Sequence, residues 1–172
     1  MTPQRLCKPQ WPTRGMVARM PEVDWTAALS HLTEADPALA LVIAQHGVPT
    51  IAPTSDAIQS LARAIVGQQL SGAAARTIWG RVLALFPRGR FPGAAKLLET
   101  PDADLRGAGL SGAKTAALKD LARHVIEKRL VPKKLPAATD DEVSAMLLPI
   151  RGIGPWSVDM FLMFALARPD VL

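Results

Sequence analysis

The stretch LLPIRGIGPWSVDMF, residues 147–161, joins two apolar runs through a turn holding two glycines one residue apart, and it limits what this chain can fold into. Thr139 and Glu142 form a capping-box pair that starts a helix running into the turn. Gly152 and Gly154 let the backbone take positive φ angles and come close to a neighbour or ligand. Pro155 then opens a second helix at the position where a missing N–H costs nothing. Two helices must therefore meet head to tail across a few residues.

The remaining chain carries helical punctuation too. Asp36 and Pro37 start a helix that stops at Gly47. From Thr54 or Ser55 to Gly67, Ile58, Leu61, Ala62, Ile65 and Val66 recur with a 3.6-residue period. Ser71 starts another helix, with Ile78, Val82 and Leu85 inward, ending near Pro87. A long helix begins near Ser111, with Leu118, Leu121, Ala122 and Val125 inward and Lys114, Lys119, Arg123 and Lys128 mostly outward. The last helix, from Pro155, is apolar nearly all round and is expected to be buried, with Phe161 and Met163 in the core. No segment sustains the period-two alternation of a half-buried strand. The fold class predicted is all-α: a compact helical domain over residues 21–172 with a helix-hairpin-helix and no sheet. Residues 1–20, with Arg5, Lys8, Arg14 and Arg19 and no acid, read as a disordered basic arm.

Length and charge narrow the function. With 172 residues, 49% of them apolar, the chain can bury a real core, and its net charge of +5 suits a polyanionic partner such as nucleic acid. Cys7 is the sole cysteine, and His31, His46 and His124 lie far apart, so neither a disulfide, an iron–sulfur cluster nor a side-chain metal site is expected. No apolar run approaches the roughly 18 residues of a membrane span, and no secretory signal opens the chain, which predicts a cytoplasmic protein without membrane contact.

Chemically, the turn before Pro155 is a cup of donors, because the first amides of a helix lack internal partners and sit at the positive end of its dipole. Such a cup suits one phosphate, a contact that positions a protein on DNA without reading sequence. The plainer reading is a tight turn that uses glycine only for packing. A different anion loop, the P-loop, is excluded at GLSGAKT, where Ala113 separates Gly112 from Lys114 and no strand precedes.

Leu148-Pro149-Ile150-Arg151-Gly152-Ile153-Gly154 resembles the helix-hairpin-helix motif of the DNA glycosylase superfamily, departing from it by Pro149 ahead of Ile150 and by Arg151 where proline is usual. Upstream, LARAIVGQQLSGAAARTIWGRV at 61–82 and LRGAGLSGAKTAALKDLA at 105–122 resemble segments flanking the lesion site in the 3-methyladenine DNA glycosylase II branch. Three motifs in order carry more weight than any one.

The resemblance implies a monofunctional glycosylase of base excision repair that flips alkylated bases out of double-stranded DNA and hydrolyses the N-glycosidic bond. It places Gln68, Trp156 and Met160 in the substrate pocket and Gln69 and Leu70 in the wedge that fills the gap left by the flipped base. Arg151, Gly152, Gly154 and Trp156 become the phosphate contacts, and the carbonyls of Leu148, Ile150 and Ile153 the ligands of a monovalent cation, Na+ or K+, with no other cofactor. Trp156 stands where lyase members keep a lysine, so no Schiff base is implied. The catalytic aspartate is expected beyond Leu172, Asp170 falling just short of it as a capping or orienting residue. Asp159 is expected to reach a basic group or an amide, and Lys114 to lie in solvent. The protein is expected to be a monomer. The competing expectation is a non-catalytic helix-hairpin-helix module that only binds DNA.

Overall fold

The computed structural model describes residues 24–48 and 51–171; the basic arm expected at 1–20 lies outside the described residues. Among the described residues nine α-helices follow one another: α1 (Thr26–Ala35), α2 (Pro37–His46), α3 (Ala57–Gly67), α4 (Gly72–Ala84), α5 (Ala94–Glu99), α6 (Asp102–Gly107), α7 (Gly112–Ile126), α8 (Asp140–Leu147) and α9 (Pro155–Phe164). Short 3-10 turns occupy Pro87–Gly89 and Pro132–Ala137. No strand occurs among the described residues, so the fold is all-α as the sequence predicts. No helix among them is long and apolar enough to cross a membrane.

Caps set most of the helix starts. The Asp36 carboxylate accepts from the amides of Ala38 and Leu39 at 2.7 and 3.4 Å, ahead of Pro37. The α3 cap is Asp56, which accepts from Gln59 at 2.9 Å, so the helix starts at Ala57 rather than at Thr54 or Ser55. Thr139 and Glu142 complete their reciprocal box at 3.2 and 2.8 Å. Helices α5 and α6 have six residues each, start without a side-chain cap, and bury one leucine apiece, Leu97 and Leu105.

The core forms where α7 crosses the middle of the domain and packs on α3, α5 and α6. It contributes Leu118, Leu121 and Ala122, which meet Leu61, Ile65 and Val66 of α3, Leu147 of α8 and Phe161 and Leu162 of α9 in one buried cluster. Three outward-or-inward expectations fail here. Leu85 is 40% exposed, because α4 stops at Ala84 and Phe86 takes the buried place. Lys119 is buried; its ammonium donates to the carbonyls of Leu98, at 2.6 Å, and Thr100, closing the C-terminal end of α5. Helix α9 buries only the face of Val158, Phe161 and Leu162, leaving Trp156 69% and Phe164 60% exposed. Met163 is half-buried.

Two ties hold α9 at its far end. The amide of Thr54 donates to the Ala165 carbonyl at 2.8 Å, and the Arg168 guanidinium reaches the Asp140 carboxylate and the Ala138 carbonyl at the start of α8. Helices α1 and α2 pack on each other and bury no side chain; Leu41 and Val42 are exposed.

Candidate nucleic-acid interface

At the α8–α9 hairpin, apolar side chains turn inward and backbone donors outward. Ile150 and Ile153 are buried, and two short turns, Ile150 N–H to Leu147 O at 3.0 Å and Ile153 N–H to Ile150 O at 3.1 Å, wind the chain back. Gly152 has φ +80°, in the left-handed region that favours glycine, while a Cβ there would come into contact with that of Ala117 on α7 at 3.4 Å. Gly154 differs from the expectation of a positive φ: its φ is −108°, open to any residue, and a Cβ would meet nothing within 4 Å. Neither conformation nor internal packing demands glycine at 154. What its missing side chain leaves is open approach to the amides beside it.

Those amides are unoccupied. Among the described residues, the N–H groups of Gly152, Gly154 and Trp156 find no acceptor in the chain, whereas Ser157 and Val158 donate to Gly154 O at 2.9 and 3.1 Å. The amide of Arg151 is not part of this cup: it donates to the Asp120 carboxylate of α7 at 2.9 Å. Its side chain is exposed at the rim. Of the three carbonyls expected to hold a cation, that of Ile150 accepts one hydrogen bond and those of Leu148 and Ile153 accept none outside the helices among the described residues. Their lone pairs fit an oxygen-ligand site, and no group of three or more His, Cys, Asp or Glu that could hold a metal occurs among the described residues.

Opposite the hairpin lies the turn between α3 and α4. The Gln68 amide Nε2 donates to Gly152 O at 2.7 Å, tying this turn to the hairpin. Lys114, expected in solvent, sends its ammonium to the carbonyls of Val66 at 2.8 Å and Gln68 at 2.7 Å. It closes the end of α3, the natural place for a cation, and partial burial lowers its pKa from the ordinary lysine value. Gln69 follows in the left-handed region at φ +56°, a conformation that costs a non-glycine residue about 1 kcal/mol. Gln69 and Leu70 are exposed at the tip.

Between the two turns is a cleft of about 1120 Å³, ample for a nucleobase with its sugar. Gln68, Gln69 and Leu70 line one side; Arg151, Gly152, Trp156, Met160, Phe161 and Phe164 line the other. Every side chain expected in the pocket or wedge is thus on one cleft, while Gly154 lies just outside it. Arg63, Arg76 and Phe164 were not foreseen. The two arginines sit off the apolar stripes of α3 and α4, a position that marks a side chain as exposed but not what it faces. With Lys114 and Arg151 they give the cleft four cationic side chains and, among the described residues, no carboxylate. Asp159 is half-buried, and the basic group or amide expected as its partner is not found: neither it nor the exposed Asp170 makes a side-chain hydrogen bond or ion pair among the described residues.

Comparison with known proteins fits this geometry. A 3-methyladenine DNA glycosylase of Schizosaccharomyces pombe, solved with abasic DNA, superposes with a TM-score of 0.76 at 28% identity, covering 86% of this chain and 73% of that one. DNA-3-methyladenine glycosylase 1 of the same yeast is 34% identical over 116 residues, 66% of this chain and 50% of its own length. DNA-3-methyladenine glycosylase of Saccharomyces cerevisiae is 33% identical over 167 residues, 87% of this chain and 55% of its own. The chain spans about half the length of these curated relatives. Residues 62–171, which contain both turns, α7 and the cleft between them, match one family model, and the chain belongs to the HhH-GPD superfamily of base excision DNA repair proteins.

Proposed function

We propose that the protein is a monofunctional DNA glycosylase that removes alkylated purines of the 3-methyladenine type from double-stranded DNA. The observation that carries this reading is the pairing, across one cationic cleft, of a turn that offers three backbone donors with a turn that offers exposed side chains. The amides of Gly152, Gly154 and Trp156 hold a phosphate, assisted by the Arg151 guanidinium, and the carbonyls of Leu148, Ile150 and Ile153 would hold a monovalent cation, whose charge would add to the attraction for that phosphate. Gln69 and Leu70 enter the minor groove and fill the gap.

Flipping a base costs a few kcal/mol of lost stacking and pairing, least at a damaged site. Stacking on an aromatic face returns about 1–3 kcal/mol. Trp156, exposed on α9 beside Met160, supplies that face, and its π-system favours a positively charged alkylpurine over a neutral base. A cationic base leaves readily, so the cleft needs no strong acid. It does need a carboxylate to stabilise the developing oxocarbenium ion, a role the resemblance assigns to an aspartate past residue 172. Trp156 has no amine with which to open the sugar, so hydrolysis proceeds without strand cleavage. The protein acts as a cytoplasmic monomer.

A second reading, a DNA-binding module without chemistry, draws on the lack of a carboxylate among the described residues lining the cleft. The two separate by incubating the product of the whole reading frame with DNA methylated by dimethyl sulfate and chromatographing the supernatant. Free 3-methyladenine with intact strands is the expected result. Selective binding with no released base would leave only the module.

A further inference from the structure

One face of α7 touches both turns of the cleft. Lys114, Ala117 and Asp120 follow at three-residue intervals, and side chains at that spacing share a helix face. Lys114 donates to Val66 O and Gln68 O at 2.8 and 2.7 Å. Ala117 lies where a Cβ on Gly152 would come within 3.4 Å, and Asp120 accepts from Arg151 N–H at 2.9 Å. The Gln68 side chain closes the circuit on Gly152 O at 2.7 Å. The donors and acceptors link residues 46 and 31 positions apart, so none of this is local helix capping alone.

We infer that Lys114 is a positioning residue: by fixing the Val66 and Gln68 carbonyls it holds the Gln69–Leu70 tip at a set distance from the phosphate cup. This rests on the reading of that tip as a wedge. The physical case is that Gln69 keeps a left-handed φ of +56° with an exposed side chain, and an unfavourable backbone state persists only where its surroundings over-determine it. The Gln68 carbonyl immediately before it is held by Lys114, and the Gln68 side chain by the hairpin. Without the ammonium, two carbonyls at the α3 terminus lose a charged donor and the tip is free to relax. Lys114 itself makes no contact that a flipped base would need, since its ammonium is directed at protein carbonyls.

The test compares wild type, Lys114→Met and Lys114→Arg on two duplexes, one undamaged and one with a single abasic analogue opposite 2-aminopurine. Anisotropy reads affinity, 2-aminopurine fluorescence reads entry of the tip, and segment-resolved amide exchange reads the order of residues 67–71. In Lys114→Met, preference for the abasic duplex and the fluorescence change are expected to fall about tenfold, with exchange faster at 67–71 and unchanged at 150–158. Affinity for undamaged DNA is expected to fall only about twofold, from the lost charge. Lys114→Arg, which can still donate to both carbonyls, is expected to recover most of the preference. A merely structural lysine would lower both affinities together, in proportion to the folded fraction. Should Lys114→Met fail to fold, Lys114→Gln, which lacks the charge and has a shorter stem, takes its place with the same expected loss of preference. If wild type prefers the abasic duplex and the lysine variants keep that preference, Lys114 does not position the tip. If wild type itself shows no preference and no fluorescence change, the wedge reading falls, and the role of Lys114 with it.

Discussion

The two turns that rim the cleft use opposite parts of the chain. At the hairpin the side chains of Ile150 and Ile153 are buried and the amides of Gly152, Gly154 and Trp156 find no acceptor among the described residues. At the α3–α4 turn the backbone is engaged, through Lys114, and the side chains of Gln69 and Leu70 face outward. Backbone donors recognise a phosphate, which every nucleotide carries. Side chains fill a gap that exists only where a base has left the stack. On the proposed function, the hairpin would attach the protein to any duplex and the α3–α4 turn would inspect one position in it.

The sharpest way to break that division is Gly154→Asp. The position is the N-cap of α9, in extended backbone with open space around a Cβ, so aspartate fits and caps the helix. The variant is expected to be slightly more stable, by a few tenths of a kcal/mol, and to melt about 1 °C higher. It also places a carboxylate where the phosphate should sit. Affinity for damaged and undamaged duplexes should fall together by about thirtyfold, or about 2 kcal/mol. Weakening confined to the damaged duplex would mean that the hairpin inspects rather than attaches.

A smaller effect is expected from Gln69→Gly. Relief of the left-handed strain, about 1 kcal/mol, is offset by the greater freedom of glycine in the unfolded chain, about 0.4–1 kcal/mol. Stability should therefore change by less than about 0.5 kcal/mol in thermal or urea melts, while preference for an abasic over an intact duplex falls about threefold to tenfold. Equal preference before and after would remove Gln69 from the wedge and leave Leu70.

The sequence makes some of this legible and hides the rest for identifiable reasons. Helix starts with an acid or hydroxyl cap, at Asp36, Ser71, Ser111 and Thr139, can be read directly, because the capping side chain and the amide that donates to it are neighbours in the chain. Helices α5 and α6 lack such caps and are too short for a period to emerge. Lys114 and Lys119 lie on α7 where periodicity says outward, yet their ammonium groups end on carbonyls of other helices, 46 to 48 and 19 to 21 residues away. Only the packing of α7 against α3 and α5 decides that. Trp156 and Phe164 show the reverse limit: an apolar residue left at the surface and one packed in the core look alike in a hydrophobic run, and only the folded chain tells them apart. The motifs therefore bring Gln68, Gln69, Leu70, Trp156 and Met160 to expectation, and only the fold adds Arg63, Arg76, Lys114 and Phe164 to the same cleft.

The most direct test of the division between attachment and inspection is a backbone amide NMR titration of the wild-type protein with a short undamaged duplex. The amides of Gly152, Gly154 and Trp156, which have no acceptor among the described residues, should move downfield together as phosphate arrives. The amide of Arg151, one residue away and already bound to Asp120, should move least among the four. Shifts confined to the Gln69–Leu70 tip, or a response at Arg151 as large as at its neighbours, would contradict the assignment of the hairpin as the phosphate cup.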